Sequence, residues 1–366
     1  MNYKHQILPC PPALRIAACF AGCFLLMVTL TAAETADQQP PASAEPAAAQ
    51  QASDAAVPAL PAADDILNQA RTRLESLNSL QCDLQQTAIF GGVKLIAAGK
   101  YTEASGNRVH LIYRIYPMSA IRTEDAAKNA LDAAAPELKP EENRGELLQV
   151  SDGAVVHTSW KNGDIVRVTR RNLKDILDAA QTISGYDPNN VAMDLGVGGL
   201  RALISRLQTS MVFAPVKTVQ AGDRTLLEVT GRWSDRVRRE IFGLPEGTFV
   251  DSRPFVPEYV RVYVDQETML LRRIQFLKHS ADPAQKLARP LLTLDLRNLR
   301  INDTIDESLF TFTPPENTRE EDMTESVINS IKTSVAPESA PKADTPAATP
   351  PKAPDQAGNP AATGNP

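Results

Sequence analysis

The chain has 366 residues, of which 43% are hydrophobic, 22% charged and only 5% aromatic. Its formal net charge is −6, with 38 lysines and arginines against 44 aspartates and glutamates. This balance argues against the concentrated basic face that a nucleic-acid-binding protein needs, so we expect no nucleic acid among its partners.

The N-terminus has the pattern of an export signal. Lys4 and Arg15 precede an uncharged apolar run over residues 16–33, which ends in small residues at 31–33. Signal peptidase requires small residues at positions −3 and −1 of its cleavage site. We therefore predict a signal peptide over 1–33 and export to the periplasm or cell envelope.

Two alternatives stay open for this leader. The apolar run is long enough to serve as an uncleaved N-terminal membrane anchor. Cys19 and Cys23 each lie in a short stretch that looks like a lipoprotein cleavage box, so lipidation is the third interpretation.

Composition divides the rest of the chain. Residues 34–62 and 321–366 are rich in Ala and Pro, and every aromatic residue after residue 24 lies between Phe90 and Phe312. Segments with so little apolar surface do not offset the entropy of ordering. We predict a disordered linker over 34–62, one folded domain over 63–320 and a mostly disordered tail over 321–366.

The folded domain is predicted to begin with a helix, because Ile66, Leu67, Ala70 and Leu74 recur at helical spacing. Further helices are predicted over 121–143 (Ala-rich and charged, on the surface), 172–182 and 199–209 (both amphipathic).

Most of the remaining domain has the alternation of half-buried strands. Apolar residues at every second position predict strands over 108–116, 227–233, 260–264, 270–277 and 292–297. A short polar turn over 265–268 joins two of them, which favours antiparallel neighbours over βαβ units. The predicted fold class is therefore α+β, with a curved antiparallel sheet and helices over one face or mouth.

Few residues suggest chemistry. Cys82 is the only cysteine after the leader, so no internal disulfide forms and a small core residue is the simplest interpretation. His110, His157 and His279 have no His or Cys at metal-ligand spacing, so no metal or other cofactor is expected. No nucleophile motif occurs either, and we predict a non-catalytic protein.

Two further motifs have ordinary interpretations. The glycine-rich stretch 196–199 lacks the lysine of a phosphate loop and is predicted to be a flexible approach to a helix. The basic residues Arg232, Arg236, Arg238 and Arg239 are interpreted as a solvated loop, with anionic lipid headgroups as the alternative partner.

Four stretches, in this order, resemble the periplasmic outer-membrane lipoprotein carrier (LolA-type) superfamily. They are LNSLQCDLQQT at 77–87, GKYT at 99–102, LQVSDG at 148–153 and DESLFTFTPP at 306–315. The last stretch is the most specific of the four. One departure is that the family's arginine that helps to hold the lid is replaced here by Ser105.

The resemblance implies a divergent member with a curved, unclosed antiparallel β-barrel covered by helices. Its interior would accept acyl chains without catalysis and without a cofactor. On that basis the predicted cavity residues are Val109, Leu111, Tyr113, Ile115, Leu227, Val229, Leu292 and Leu294. The helix over 199–209 is predicted to be the lid, through Leu200, Leu203, Ile204 and Leu207.

Two functions follow from these observations. The first is an exported, monomeric carrier or binder of a lipid or of lipoprotein acyl chains, with an envelope membrane protein as a second candidate partner. The alternative is an envelope sensor or regulatory module that uses the same fold to bind proteins. A filled core shows the same alternation as a cavity wall, so the sequence leaves this choice open.

Overall fold

The computed structural model of the protein describes residues 60–90, 93–117, 138, 140–182, 188–240, 243, 256–279 and 288–335. The predicted signal peptide, nearly all of the predicted linker and the tail beyond residue 335 lie outside the described residues. Most of the surface helix predicted over 121–143 does as well. Within that range, Pro140–Glu142 form a single 3₁₀ turn.

Thirteen strands form one sheet in the described part of the chain. They are β1 (Ser79–Phe90), β2 (Val93–Ala104), β3 (Arg108–Pro117), β4 (Gly145–Asp152), β5 (Val155–Asn162), β6 (Ile165–Asn172), β7 (Met211–Phe213), β8 (Lys217–Ala221), β9 (Arg224–Trp233), β10 (Tyr259–Asp265), β11 (Leu271–His279), β12 (Ala288–Ile301) and β13 (Glu320–Asp322).

The strands follow the order β13-β6-β5-β4-β3-β2-β1-β12-β11-β10-β9-β7, and β8 also pairs with β9. All pairings are antiparallel except that of β13 with β6. The end strands of this order, β13 and β7, do not pair with each other, so the described sheet is unclosed. The predicted α+β fold with an open, curved sheet is confirmed.

The five strands predicted from alternation are all present, as β3, β9, β10, β11 and β12. Their alternation follows burial, since Val260, Val262 and Val264 on one face of β10 are fully buried. The predicted turn after β10 is confirmed as well. The Asp265 carboxylate accepts hydrogen bonds from the backbone N–H groups of Glu267 and Thr268, which fixes the turn into β11.

Six α-helices accompany the sheet in the described residues. They are α1 (Ala63–Glu75), α2 (Leu173–Gln181), α3 (Pro188–Asp194), α4 (Gly199–Ser210), α5 (Asp235–Glu240) and α6 (Thr324–Val335). The three amphipathic helices predicted from spacing are α1, α2 and α4. Contacts run from α1 to α4, α4 to α3, α3 to α2 and α2 to α6, so these five helices form one continuous layer.

The helix termini show why these residues fold as they do. Asp64 and Asp65 lie in the first turn of α1, where carboxylates interact favourably with the helix dipole. The Asn172 side chain accepts a hydrogen bond from the backbone N–H of Asp175 and caps α2. No helix in the described residues is long and apolar enough to cross a membrane.

The structure differs from the sequence interpretation in two places. Strand β13 and helix α6 continue the sheet and the helix layer past residue 320, the predicted end of the folded domain. Helix α6 has no aromatic residue, but Ile328 and Ile331 are buried at helical spacing. The predicted loop at the basic cluster is wrong, because Arg236 and Arg238 lie in α5 and pair with Glu240 and Asp235 there.

Candidate functional site

A cavity of about 460 Å³ lies between the sheet and the helix layer. Its apolar wall comes from β1, β3 and β12, through Leu84, Leu111, Tyr113, Ile115, Leu292 and Leu294. Helix α4 adds Leu200 and Leu203, and the chain before and within α6 adds Met323 and Val327. The volume is in the range of about 300–1,000 Å³ that is typical of small-molecule sites.

Strand register brings the wall residues to one face. Across β2 and β3, Tyr101 is opposite Leu111, which is in turn opposite Gln149 of β4. Across β1 and β12, Gln86 is opposite Leu294. Because directly paired residues share a face of the sheet, these side chains all point into the cavity that they line.

The predicted cavity residues divide into two groups. Leu111, Tyr113, Ile115, Leu292 and Leu294 line the cavity. The other three, Val109, Leu227 and Val229, lie in the packed core and are almost completely buried. The sheet face is thus a cavity wall around β3 and β12, and part of a solid core around β9.

The predicted lid helix divides in the same way. Leu200 and Leu203 of α4 line the cavity. Ile204 and Leu207 are buried in the core, and α4 as a whole packs against α1. One face of α4 therefore covers the cavity while the rest of its apolar surface anchors it to α1.

A carboxylate from the sheet holds the beginning of this lid helix. Glu103 Oε2 accepts a hydrogen bond from the backbone N–H of Leu200 (3.2 Å) and another from the Tyr101 hydroxyl (2.5 Å). Burial raises the pKa of Glu103 above its ordinary value. Burial, followed by the charge of Glu103, raises the pKa of Tyr101 well above its ordinary value.

The glycine before Leu200 is required by this contact. Gly199 has a φ of +65°, and a Cβ there would lie 2.4 Å from Glu103 Oε2. The stretch 196–199 is therefore shaped for close packing against the sheet. Sequence analysis missed Glu103, although it follows Gly99 and Tyr101 at every second position of β2 and so shares their face.

The far end of the cavity, on the β5–β6 hairpin, is rich in hydrogen-bond donors. We call the lining residues Thr158, Trp160, Arg167, Thr169 and Arg171 the donor cluster. Across the hairpin, Thr158 is opposite Thr169 and Trp160 is opposite Arg167. The Arg171 guanidinium donates to the Thr158 hydroxyl at 3.2 Å. Sequence analysis did not single out any of these residues.

Two donors in the cavity wall are buried without a hydrogen-bond partner. They are the indole Nε1 of Trp160 and the amide Nε2 of Gln86. A buried donor without an acceptor is unfavourable by about 1–3 kcal/mol. Neither atom is accessible from the cavity, so a ligand in the cavity would contact them only after these side chains rearranged.

The segment over residues 320–335, which we call the C-terminal strap, closes the cavity beside the donor cluster. Three of its four acidic residues pair with basic residues of the hairpin: Glu320 with His157 (2.7 Å), Glu321 with Arg167 (2.8 Å) and Asp322 with Arg170 (2.9 Å). The Thr324 hydroxyl also accepts the backbone N–H of Asn172 at 2.9 Å. Polar contacts thus hold the strap to β5, β6 and the start of α2.

The described residues offer little for catalysis. No group of three or more His, Cys, Asp or Glu residues among them could hold a metal ion. Cys82 is buried, and burial raises the pKa of its thiol, which keeps it protonated and unreactive. Burial lowers the pKa of His110.

No protein-family model matches the chain. A comparison with curated proteins also finds no match.

Several solved structures are similar to this one. The lipoprotein LppX from Mycobacterium tuberculosis matches at 10% identity and a TM-score of 0.32, over 67% of this chain and 97% of LppX. LprF from Mycobacterium bovis matches at 12% identity and a TM-score of 0.30, over 67% of this chain and 94% of LprF.

A LolA superfamily protein from Nitrosomonas europaea matches at 11% identity and a TM-score of 0.26, over 69% of this chain and 99% of that protein. This is also the superfamily that the sequence motifs resemble. All three TM-scores are far below 0.5.

Proposed function

We propose that the protein is a non-catalytic carrier or binder of a lipid, or of the acyl chains of a lipoprotein, in the cell envelope. The observation that carries this proposal is the 460 Å³ cavity, with its aliphatic wall on β1, β3 and β12 and its cover of helix α4. An apolar cavity of this size has no structural benefit of its own, since a packed core is more stable.

The cover supports a binding function because its two cavity-facing side chains can be displaced while Ile204 and Leu207 keep α4 packed against α1. Leu200 and Leu203 bury apolar area against the cavity at about 25 cal/mol per Å², which amounts to a few kcal/mol for two side chains. Ligand binding can supply a free energy of that size and so select an open arrangement.

The non-catalytic part of the proposal is supported by the chemistry of the wall. Its residues are mostly aliphatic or aromatic, and its polar members are amides, hydroxyls and guanidinium groups, with Asp194 as the one carboxylate among the described lining residues. Export is supported by the apolar leader over 16–33 and remains a proposal.

Binding of a fluorescent fatty acid tests the proposal. Wild type should bind the probe, and Leu111→Glu should lose binding yet remain folded, because the new carboxylate enters a cavity. The matched control is Val229→Glu in the packed core, where a buried, unpaired charge should unfold the domain.

The opposite results favour the alternative function. If wild type binds no apolar probe and Leu111→Glu unfolds like Val229→Glu, then the interior is filled in solution. An envelope sensor or regulatory module that binds proteins would then replace the carrier proposal.

A further inference from the structure

The donor cluster differs in character from the rest of the cavity. From β12 to β3 the wall is mostly apolar, with Gln86 as its one amide, whereas β5 and β6 contribute two guanidinium groups and two hydroxyls. The cavity therefore has an apolar end and a donor end, which is the arrangement that an amphiphile requires.

Both guanidinium groups of the cluster approach the level of Thr169. Arg171 reaches back along β6 to the hydroxyls of Thr158 (3.2 Å) and Thr169 (3.4 Å). Arg167 reaches forward to Glu321, which is the residue directly opposite Thr169 in the β13–β6 pairing. The two positive charges thus lie at the level of Thr169 on opposite sides of β6, with Arg171 directed towards β5 and Arg167 towards β13.

Glu321 already places a carboxylate next to Arg167, at the level of Thr169. Because directly paired residues share a face, Glu321 lies on the same side of the sheet as Thr169, and Met323 after it lines the cavity. Its partner Arg167 is half exposed, as is Glu321 itself. Such exposed ion pairs are weak, typically about 0–1 kcal/mol, so another anion can replace this one.

We propose that the donor cluster binds the anionic head of the ligand, a carboxylate or a phosphate, and that this head replaces Glu321 at Arg167. This inference rests on the proposed function, because it assumes that the apolar end holds a hydrocarbon chain. The hydroxyls of Thr158 and Thr169 supply additional donors to the head. Guanidinium groups bind both kinds of oxyanion through charge-assisted hydrogen bonds.

The test compares ligands that differ only in the head. A fatty acid, the alkyl phosphate and the fatty alcohol of equal chain length are used to displace a neutral fluorescent apolar probe from the full chain. The acid or the phosphate should displace the probe about tenfold more effectively than the alcohol, a difference of about 1.4 kcal/mol, because the guanidinium groups form charge-assisted hydrogen bonds only with the anions. Which of the two anions is preferred identifies the source of the head.

Variants on the two faces of the β5–β6 hairpin test whether the donor cluster causes the preference for the anion. Arg167→Gln combined with Arg171→Gln should lower displacement by the acid and the phosphate to the level of the alcohol, and a cooperative thermal unfolding transition shows that the variant is folded. Lys161→Gln removes an exposed charge from the other face of β5 and should retain the preference. Glu321→Gln removes the competing carboxylate and should strengthen anion binding while leaving the alcohol unaffected.

Two outcomes would overturn the inference: equal displacement by the alcohol and both anions in wild type, or an anion preference that survives in the double variant. The inference also fails at Glu321 if Glu321→Gln changes probe displacement by the acid, the phosphate and the alcohol equally. The Arg167–Glu321 salt bridge would then only fasten the strap. Failure of every ligand to displace or bind is a different result, because it removes the proposed function itself.

Discussion

Glu103 of strand β2 accepts the backbone N–H of Leu200 at 3.2 Å, and this single bond ties the sheet to the first turn of the lid helix. A carboxylate at this place interacts favourably with the positive end of the helix dipole. Its burial is unfavourable for the charged form, which is why the pKa of Glu103 is raised.

The first prediction concerns the pH dependence of this contact. The pKa of Glu103 is higher in the folded chain than in the unfolded one, so its protonated form favours folding. That contribution is complete below the unfolded pKa and is lost as the pH rises through the folded pKa. Glu103→Gln keeps an acceptor for Leu200 but cannot ionise, so wild type should lose stability relative to the variant as the pH rises.

Urea unfolding of both proteins between about pH 4 and 8 measures the difference. The prediction is wrong if the free energies of unfolding of the two proteins differ by a constant amount over this range. The pKa of Glu103 would then be the same in the folded and the unfolded chain.

The second prediction concerns Gly199. Gly199→Ala should destabilise the protein by more than the strain of a positive φ, which is about 1–2 kcal/mol, because its Cβ would lie 2.4 Å from Glu103 Oε2. Gly163→Ala is the matched control, since Gly163 has a φ of +57° and nothing within 4 Å of the added atom. Equal losses of stability in the two variants would mean that the lid helix does not press on Glu103.

The third prediction concerns acid loosening of the C-terminal strap. Hydrogen bonds from Thr324, and then the Arg170 guanidinium, lower the pKa of Asp322 to about 2 from 3.8. Its contribution to stability is therefore present above pH 3.8 and is lost as the pH falls towards about 2. Amide hydrogen exchange in α6 should accelerate over that window, and Asp322→Asn should show the faster exchange already at neutral pH.

Asp306→Asn provides the control for this experiment. Hydrogen bonds from Ser308 also lower the pKa of Asp306. Asp306, however, caps the 3₁₀ turn Glu307–Phe310 and not α6. The prediction fails if Asp306→Asn accelerates exchange in α6 as much as Asp322→Asn does.

The fourth prediction concerns the end of the folded unit. Limited proteolysis should leave a core that extends to about residue 335, because Ile328 and Ile331 of α6 are buried. Ile331→Asp should release the strap and move the main cleavage site to the region before α6. Lys332→Asp, at an exposed neighbouring position, should not. Cleavage near residue 320 in wild type would show that α6 is not part of the stable unit.

The sequence predicts most of the framework because helical and strand spacing are local properties. Ile66, Leu67 and Ala70 identify α1, and alternation identifies β10 through Val260 and Val262, all of which are buried. Helix α6 is not predicted because a sequence criterion based on aromatic residues does not detect a short helix held by two buried isoleucines.

The site is less predictable, because it depends on how far apart the layers are. Val109 and Leu111 have the same place in the alternation of β3, yet Val109 is packed in the core and Leu111 lines the cavity. The donor cluster lies on the local β5–β6 hairpin, but its partner Glu321 reaches it only through the pairing of β13 with β6, which joins residues more than 150 positions apart. Spacing along the chain carries no information about that pairing.

The most direct test of the central claim is native mass spectrometry of the full chain purified from the cell envelope without detergent. We predict that wild type and Lys161→Gln each carry one bound lipid. Leu111→Glu should have the mass of the lipid-free chain and the same thermal stability as wild type. A wild-type protein that is lipid-free, and that takes up none of the added acid, phosphate or alcohol, would contradict the account.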